Sequence, residues 1–145
     1  MVRSRVATRA RAVVRNGVLQ GYFLGTYSAR KLGMKSTGSA GGTHNLVVRS
    51  DGPDFKGMLQ TMKRGLLVTE LLGQGTNLVT GDYSRGAAGY WVEGGEIAFP
   101  VEEITIAGSL QEMFKQIAAI GSDVLVRSGR SSGSILVENM TVAGD

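Results

Sequence analysis

No cysteine occurs among the 145 residues, which removes disulfide frameworks, thiol nucleophiles and cysteine-based zinc sites together. Histidine is almost as scarce. His44 stands alone, so neither an H-E-x-x-H zinc helix nor a Ser-His-Asp triad with a spare histidine ligand can be assembled from this sequence. No apolar run reaches the roughly 18 to 20 residues that span a bilayer, and the basic N-terminus is not followed by the apolar core of a signal peptide. A soluble protein is expected, and the absence of cysteine is compatible with a cytoplasmic one. Carboxylates are missing from the first third: residues 1–50 hold nine Lys/Arg and no Asp/Glu, whereas residues 51–145 hold seven Lys/Arg and twelve Asp/Glu.

What is abundant is glycine. The 22 glycines are roughly twice the usual share and are scattered, which argues against collagen-like or low-complexity sequence and for a β-rich domain with many tight turns and close strand crossings. The length suits one domain with a real core, so 1–145 is read as a single domain. The basic residues Arg3, Arg5, Arg9, Arg11 and Arg15 alternate with Val6, Ala10, Ala12 and Val14, the pattern of the wet face of a strand. Nucleic-acid or subunit contact are the other uses of such a face, and nucleic acid is the less favoured partner.

Along the chain, residues 6–15 and 18–24 predict strands joined at the Asn16-Gly17 turn, an opening hairpin. Residues 26–32 suit one helical turn ended by Gly33, and 36–43 form a Gly/Ser/Thr loop that is flexible unless gripped. A strand over 45–49 precedes a turn at 51–53. Asp54 then caps a helix carrying Phe55, Met58, Leu59 and Met62 on one face, with Gly65 as its stop. Residues 66–72 form a strand, 73–85 a second glycine-rich loop, and 87–93 and 96–99 a hairpin about Gly94-Gly95. Pro100 is expected to break that ladder before a strand at 103–107. Ser109 caps a second amphipathic helix bearing Leu110, Met113, Phe114, Ile117 and Ile120, stopped by Gly121. Strands at 123–127, 134–137 and 140–143 finish an α+β domain, mostly antiparallel sheet with two amphipathic helices. The start at Met1 lacks any capping or turn signal, as in a fragment of a longer chain.

Chemistry-bearing constellations are weak. Gly33-Met34-Lys35-Ser36-Thr37 lacks the glycine that a phosphate loop places before its lysine. Glu102 and Glu103 are neighbours on a strand and point to opposite faces. Glu93 and Glu96 flank a hairpin turn and can approach each other, but exposed hairpin charges usually serve solubility, so a glycosidase pair is not favoured. His44, at the edge of a loop and a strand, reads as a hydrogen-bonded structural residue, with a general base as the alternative. Tyr83, Ser84 and Arg85 form a polar cluster between glycines, where backbone can come close to a partner chain. The plain alternative there is a structural loop in which Asp82 makes an Asx turn and Arg85 an ion pair.

Ordered blocks over nearly the whole chain resemble the TldD/PmbA family, in particular its PmbA (TldE) branch. They are TYSARKLG at 26–33, STG at 36–38, GGTHN at 41–45, VTELLGQG at 68–75, TGDYSRGAAGYW at 80–91 and PVEEITIAG at 100–108. Family members are much longer, and this sequence resembles their C-terminal portion. The resemblance implies a non-catalytic partner subunit of a TldD–TldE zinc metallopeptidase acting on short or unfolded peptides. It also implies that zinc is held by the TldD-like subunit, through an H-E-x-x-x-H helix and a cysteine whose counterpart here is Ser132, followed by Gly133. No catalytic or metal residue is then expected in this chain and no cofactor of its own. Tyr83, Ser84 and Arg85, followed by Tyr27, Arg30 and His44, become the candidates for lining a peptide chamber or an interface. The expected partners are a TldD-like subunit and a peptide, with room for a homodimer when the chain is alone. A regulatory module that modulates DNA gyrase is the alternative implied by the same family.

Overall fold

The structure, a computed structural model, describes residues 6–144. Over the span expected as one domain, the chain forms two compact units, Met1–Leu46 and Val47–Asp145.

In the first unit, β1 (Val14–Arg15) pairs antiparallel with β2 (Val18–Leu19), so that Val14 faces Leu19. Asn16 and Gly17 both take positive φ, 50° and 74°, the geometry that lets a two-residue turn match strand twist. The hairpin is therefore where expected but much shorter than 6–15 paired with 18–24. Val14, Val18 and Leu19 are all exposed, and a two-stranded ribbon with no covered face is marginal. Arg3 and Arg5 lie outside the described residues. Helix α1 (Thr26–Lys31) ends as predicted at Gly33, with φ 63°. The loop after it is gripped: Leu24 donates its N–H to Thr37 Oγ1 (2.8 Å), and its carbonyl accepts from the Thr37 N–H (3.0 Å) and the Ser36 hydroxyl (3.1 Å). Leu24 and Ala29 are the unit's buried apolar residues among those described.

The second unit is built on an antiparallel sheet. Its strands are β4 (Gly65–Leu72), β5 (Asp82–Glu93), β6 (Glu96–Ser109) and β11 (Thr141–Ala143), in the order β11-β6-β5-β4. Ala87, Ile104 and Ile106 form its core, with Leu66, Val68, Tyr83, Val101 and Met140 packed on them. Gly89 sits where a side chain would run into the Leu67 carbonyl of the adjacent strand, so only glycine fits the crossing. Helix α2 (Phe55–Met62) buries Met58 and Leu59, and Asp54 Oδ1 accepts the Gly57 N–H at 2.9 Å as its N-cap. Its stop is Lys63, at φ 59°, rather than Gly65, which already opens β4.

Three further expectations are corrected. Pro100 does not interrupt β6: it faces Tyr90 in a short stretch of pairing between two register shifts, and because β11 pairs no further back than Thr105, the missing N–H has an open edge to face. Helix α3 stops at Lys115 (Leu110–Lys115), Ser109 gives it no side-chain cap, and Phe114 is exposed. Ile117 and Ile120 belong instead to β7 (Ile117–Ile120), paired with β10 (Ile135–Val137). The run Ile117–Ile120 is apolar throughout, which suits a short strand as well as a helix end, and the cross-strand partner decided it. Finally, β8 (Leu125–Arg127) and β9 (Arg130–Ser132) form a hairpin about Ser128 and Gly129, at φ 45° and 76°. Here Ser-Gly acts as Asn-Gly does at 16–17. Strand β3 (Leu46–Val47) is shorter than the 45–49 expected and completes a sheet of order β3-β9-β8. The α+β class with mostly antiparallel sheet stands.

Candidate functional site

The polar cluster at 83–85 is on a strand, not in a loop, because β5 begins at Asp82. Strand alternation then puts Ser84 on one face and Tyr83 and Arg85 on the other. Tyr83 is half-buried against the Ala87–Ile104–Ile106 core, whereas Ser84 is exposed. Arg85 makes no ion pair among the described residues. Its guanidinium donates to the carbonyls of Leu71 (3.2 Å), Leu72 (3.5 Å) and Gly73 (2.6 Å), where β4 leaves the ladder. A fork of donors suits converging carbonyls, so Arg85 pins the end of β4.

The connection between β4 and β5 is strongly ordered. Ser84 N–H donates to Gly75 O (2.7 Å), Asn77 N–H to Asp82 O (2.8 Å), Gly81 N–H to Asn77 O (2.8 Å) and Leu110 N–H to Gly81 O (2.7 Å). The Asx turn expected at Asp82 is made by Asn77, whose Oδ1 accepts from Val79 N–H (2.9 Å) and Thr80 N–H (3.2 Å). Asp82 accepts from the Thr80 hydroxyl. At the tip of this rigid loop Leu78 and Val79 are 86% and 95% exposed. Sequence reasoning passed over this pair; the signal was two aliphatic residues framed by the turn formers Asn77 and Thr80-Gly81.

In the first unit, Tyr27 and Arg30 lie a turn apart on α1 and are exposed, with Lys31 Nζ 5.4 Å from the Tyr27 ring centroid. His44 is exposed at a bend before β3, and its imidazole has no hydrogen-bond partner among the described residues. The hydrogen-bonded structural role expected of it is thus not what the structure gives. Within each unit, the candidate side chains converge on no common point.

Among the described residues no three of His, Cys, Asp and Glu come together as a metal site. At the position compared with the zinc-ligating cysteine, the Ser132 hydroxyl donates to Gly133 O at 2.9 Å. Next to it, Asp123 accepts both the N–H (3.0 Å) and the hydroxyl of Ser134, and these bonds hold its carboxyl below the ordinary carboxylate range. This donor set does not fit zinc. An open groove of about 280 Å³ lies along α3, lined among others by Gly108, Glu112, Met113, Gln116 and Met140.

Residues 6–144 match the PmbA/TldA metallopeptidase C-terminal domain. The chain belongs to this family. It is 52% identical to metalloprotease PmbA of Escherichia coli O157:H7 over 139 residues, covering 96% of this chain and 31% of that protein. A PmbA homologue of Haemophilus influenzae is likewise 52% identical, over 97% of this chain and 31% of its own length. The TldD homologue of the same organism is 23% identical over 126 residues, which places the chain on the PmbA branch. A Thermotoga maritima crystal structure, described as a proposed modulator of a DNA gyrase, superposes with a TM-score of 0.87 at 39% identity, over 95% of this chain and 34% of that one. The chain thus spans about a third of the length of these relatives.

Proposed function

We propose that this PmbA-type domain serves in a non-catalytic partner subunit of a two-subunit zinc metallopeptidase of the cytoplasm, with hydrolysis of short or unfolded peptides performed by a TldD-like subunit. The observation that supports this reading, within the third of the relatives' length that the chain spans, is the donor set. One exposed imidazole and no thiol are available within a domain of a metallopeptidase family, and three nitrogen, sulfur or carboxylate ligands are the minimum for catalytic zinc. The role left to the domain is assembly. Strand β4 is an outer strand of its sheet, so its unpaired N–H and C=O groups suit main-chain bonding to an extended peptide, which is tolerant of sequence. The rigid apolar tip at Leu78 and Val79 suits contact with another polypeptide. The test is zinc content and peptidase activity of the chain alone and mixed with a TldD-like subunit. Activity and bound zinc only in the mixture are expected; zinc bound and peptide cleaved by the chain alone would end the proposal.

A second reading, contact with DNA or a DNA enzyme, is favoured by the carboxylate-free first fifty residues and by the description of the Thermotoga relative. A titration with duplex DNA that finds no salt-dependent affinity would remove its direct form.

A further inference from the structure

An open cleft of about 340 Å³ lies within the first unit, between the segment 6–11 and the loop after α1, lined by Val6, Ala7, Arg9, Arg11, Ser36 and Thr37. Gly38 brings its walls together: at φ 72°, a side chain there would run into the Val6 carbonyl, so glycine lets the segment lie against the loop. Arg11 is held before any ligand arrives. Its Nη2 donates to the Tyr22 carbonyl at 2.7 Å, its guanidinium carbon stands 5.2 Å from the Phe23 ring centroid, and Gly21 leaves room for Nη1. A fork fixed by stacking and one hydrogen bond loses little freedom when its remaining N–H groups meet an acceptor.

Arg9, lining the same cleft, makes no ion pair or hydrogen bond among the described residues. The unit holds eight Lys/Arg and no Asp/Glu, so no carboxylate of its own competes for either arginine. The two hydroxyls are already committed, since Ser36 and Thr37 each donate to the Leu24 carbonyl at 3.1 Å. A phosphate, with its several strong acceptor oxygens, calls for donors beyond two arginines. A carboxylate does not: one guanidinium edge meets both of its oxygens, and the second cation stands beside it. Val6 and Ala7 add an apolar wall that suits the carbon chain bearing such a group.

We propose that this cleft is a carboxylate-binding site for peptides, taking the C-terminal carboxylate or an acidic side chain, with Arg11 as the pre-set fork and Arg9 as the second cation. The assignment rests on the reading of the domain as part of a peptide-handling subunit. It adds a selection by charge, which main-chain bonding to a strand edge does not supply.

The experiment is an NMR titration of the 145-residue chain without any second subunit, read at the arginine Nε–H resonances. The probes are an N-acetylated alanine tripeptide with a free C-terminal carboxylate, its C-terminal amide, that amide with glutamate as the central residue, inorganic phosphate and a short single-stranded DNA. One or both carboxylate peptides are expected to bind with a Kd of about 1 mM, more weakly as salt rises, and with the shifts centred on Arg9 and Arg11. Which of the two binds names the source of the carboxylate. The neutral amide and phosphate should bind more weakly than either. Arg9→Gln, which removes no contact seen among the described residues, should weaken binding roughly tenfold. Arg11→Lys keeps the charge without the fork and should cost a similar factor. No shift with either carboxylate, equal binding of the amide, tighter binding of phosphate or DNA, or an Arg9→Gln variant that binds unchanged would each overturn the proposal. Such a failure would leave the partner-subunit reading standing, because zinc content and peptidase activity of the mixture test that reading separately.

Discussion

Asp123 receives Ser134 twice, its Oδ1 taking the backbone N–H at 3.0 Å and its Oδ2 the hydroxyl. The pair fastens the segment before β8 to the start of β10, eleven residues on. Both bonds favour the ionised carboxylate, so the folded-state pKa lies below the ordinary value of 3.8. Unfolded chains bind a proton here at a higher pH than folded ones do. The stabilisation is therefore complete above the ordinary value and is lost as pH falls through the depressed one. Urea titrations of wild type and Asp123→Asn from pH 7 to pH 2 should show a gap that closes below about pH 4. Ser134→Ala should narrow the gap at neutral pH by about 1 kcal/mol.

Arg85→Ala leaves the carbonyls of Leu71, Leu72 and Gly73 without their shared donor, and a loss of about 1–3 kcal/mol is expected. Arg85→Lys recovers little, because an ammonium cannot reproduce a planar fork. Hydrogen exchange should quicken at the C-terminal end of β4 while β6 keeps its protection. Uniform loss of protection would argue against a local pin.

Asp54→Ala removes the acceptor for the Gly57 N–H and should cost about 1 kcal/mol, whereas Asp54→Ser should keep most of it. Thermal unfolding of the two variants side by side is the measurement. Equal melting temperatures would contradict the cap.

Gly89→Ala forces a methyl group into the Leu67 carbonyl in the middle of the β4–β5 ladder. Loss of more than about 3 kcal/mol is expected, since backbone on both sides must move. Gly41→Ala, where a side chain meets open space, is the control and should change stability by no more than about 0.5 kcal/mol.

Turns and caps were the most legible part of the sequence. Asn16-Gly17, Gly94-Gly95, Gly33 and Asp54 each act within a few residues through φ preference or a local acceptor, and each is found in place. Strand 66–72 was legible for the same kind of reason, a run of apolar residues between turn formers. The candidate site was read less well. Glycines around Tyr83 and Arg85 suggested a loop, yet glycine on β5 answers the close approach of β4 and belongs to the strand. His44 drew notice for its chemistry, and the structure leaves it exposed on a bend. Leu78 and Val79 were passed over because exposure is not a property of two letters.

The amino-acid sequence by itself determined the α+β class, the family and the shortage of zinc donors, because composition, turn chemistry and motif order are local or countable. Tertiary structure alone decided that Ile117 and Ile120 sit on a strand, that Pro100 keeps its pairing with Tyr90 inside β6, and that Arg85 bonds three carbonyls instead of a carboxylate. Each of those outcomes turns on a partner many residues away, and the free energy of cross-strand pairing outweighs local propensities that differ by only about 1 kcal/mol.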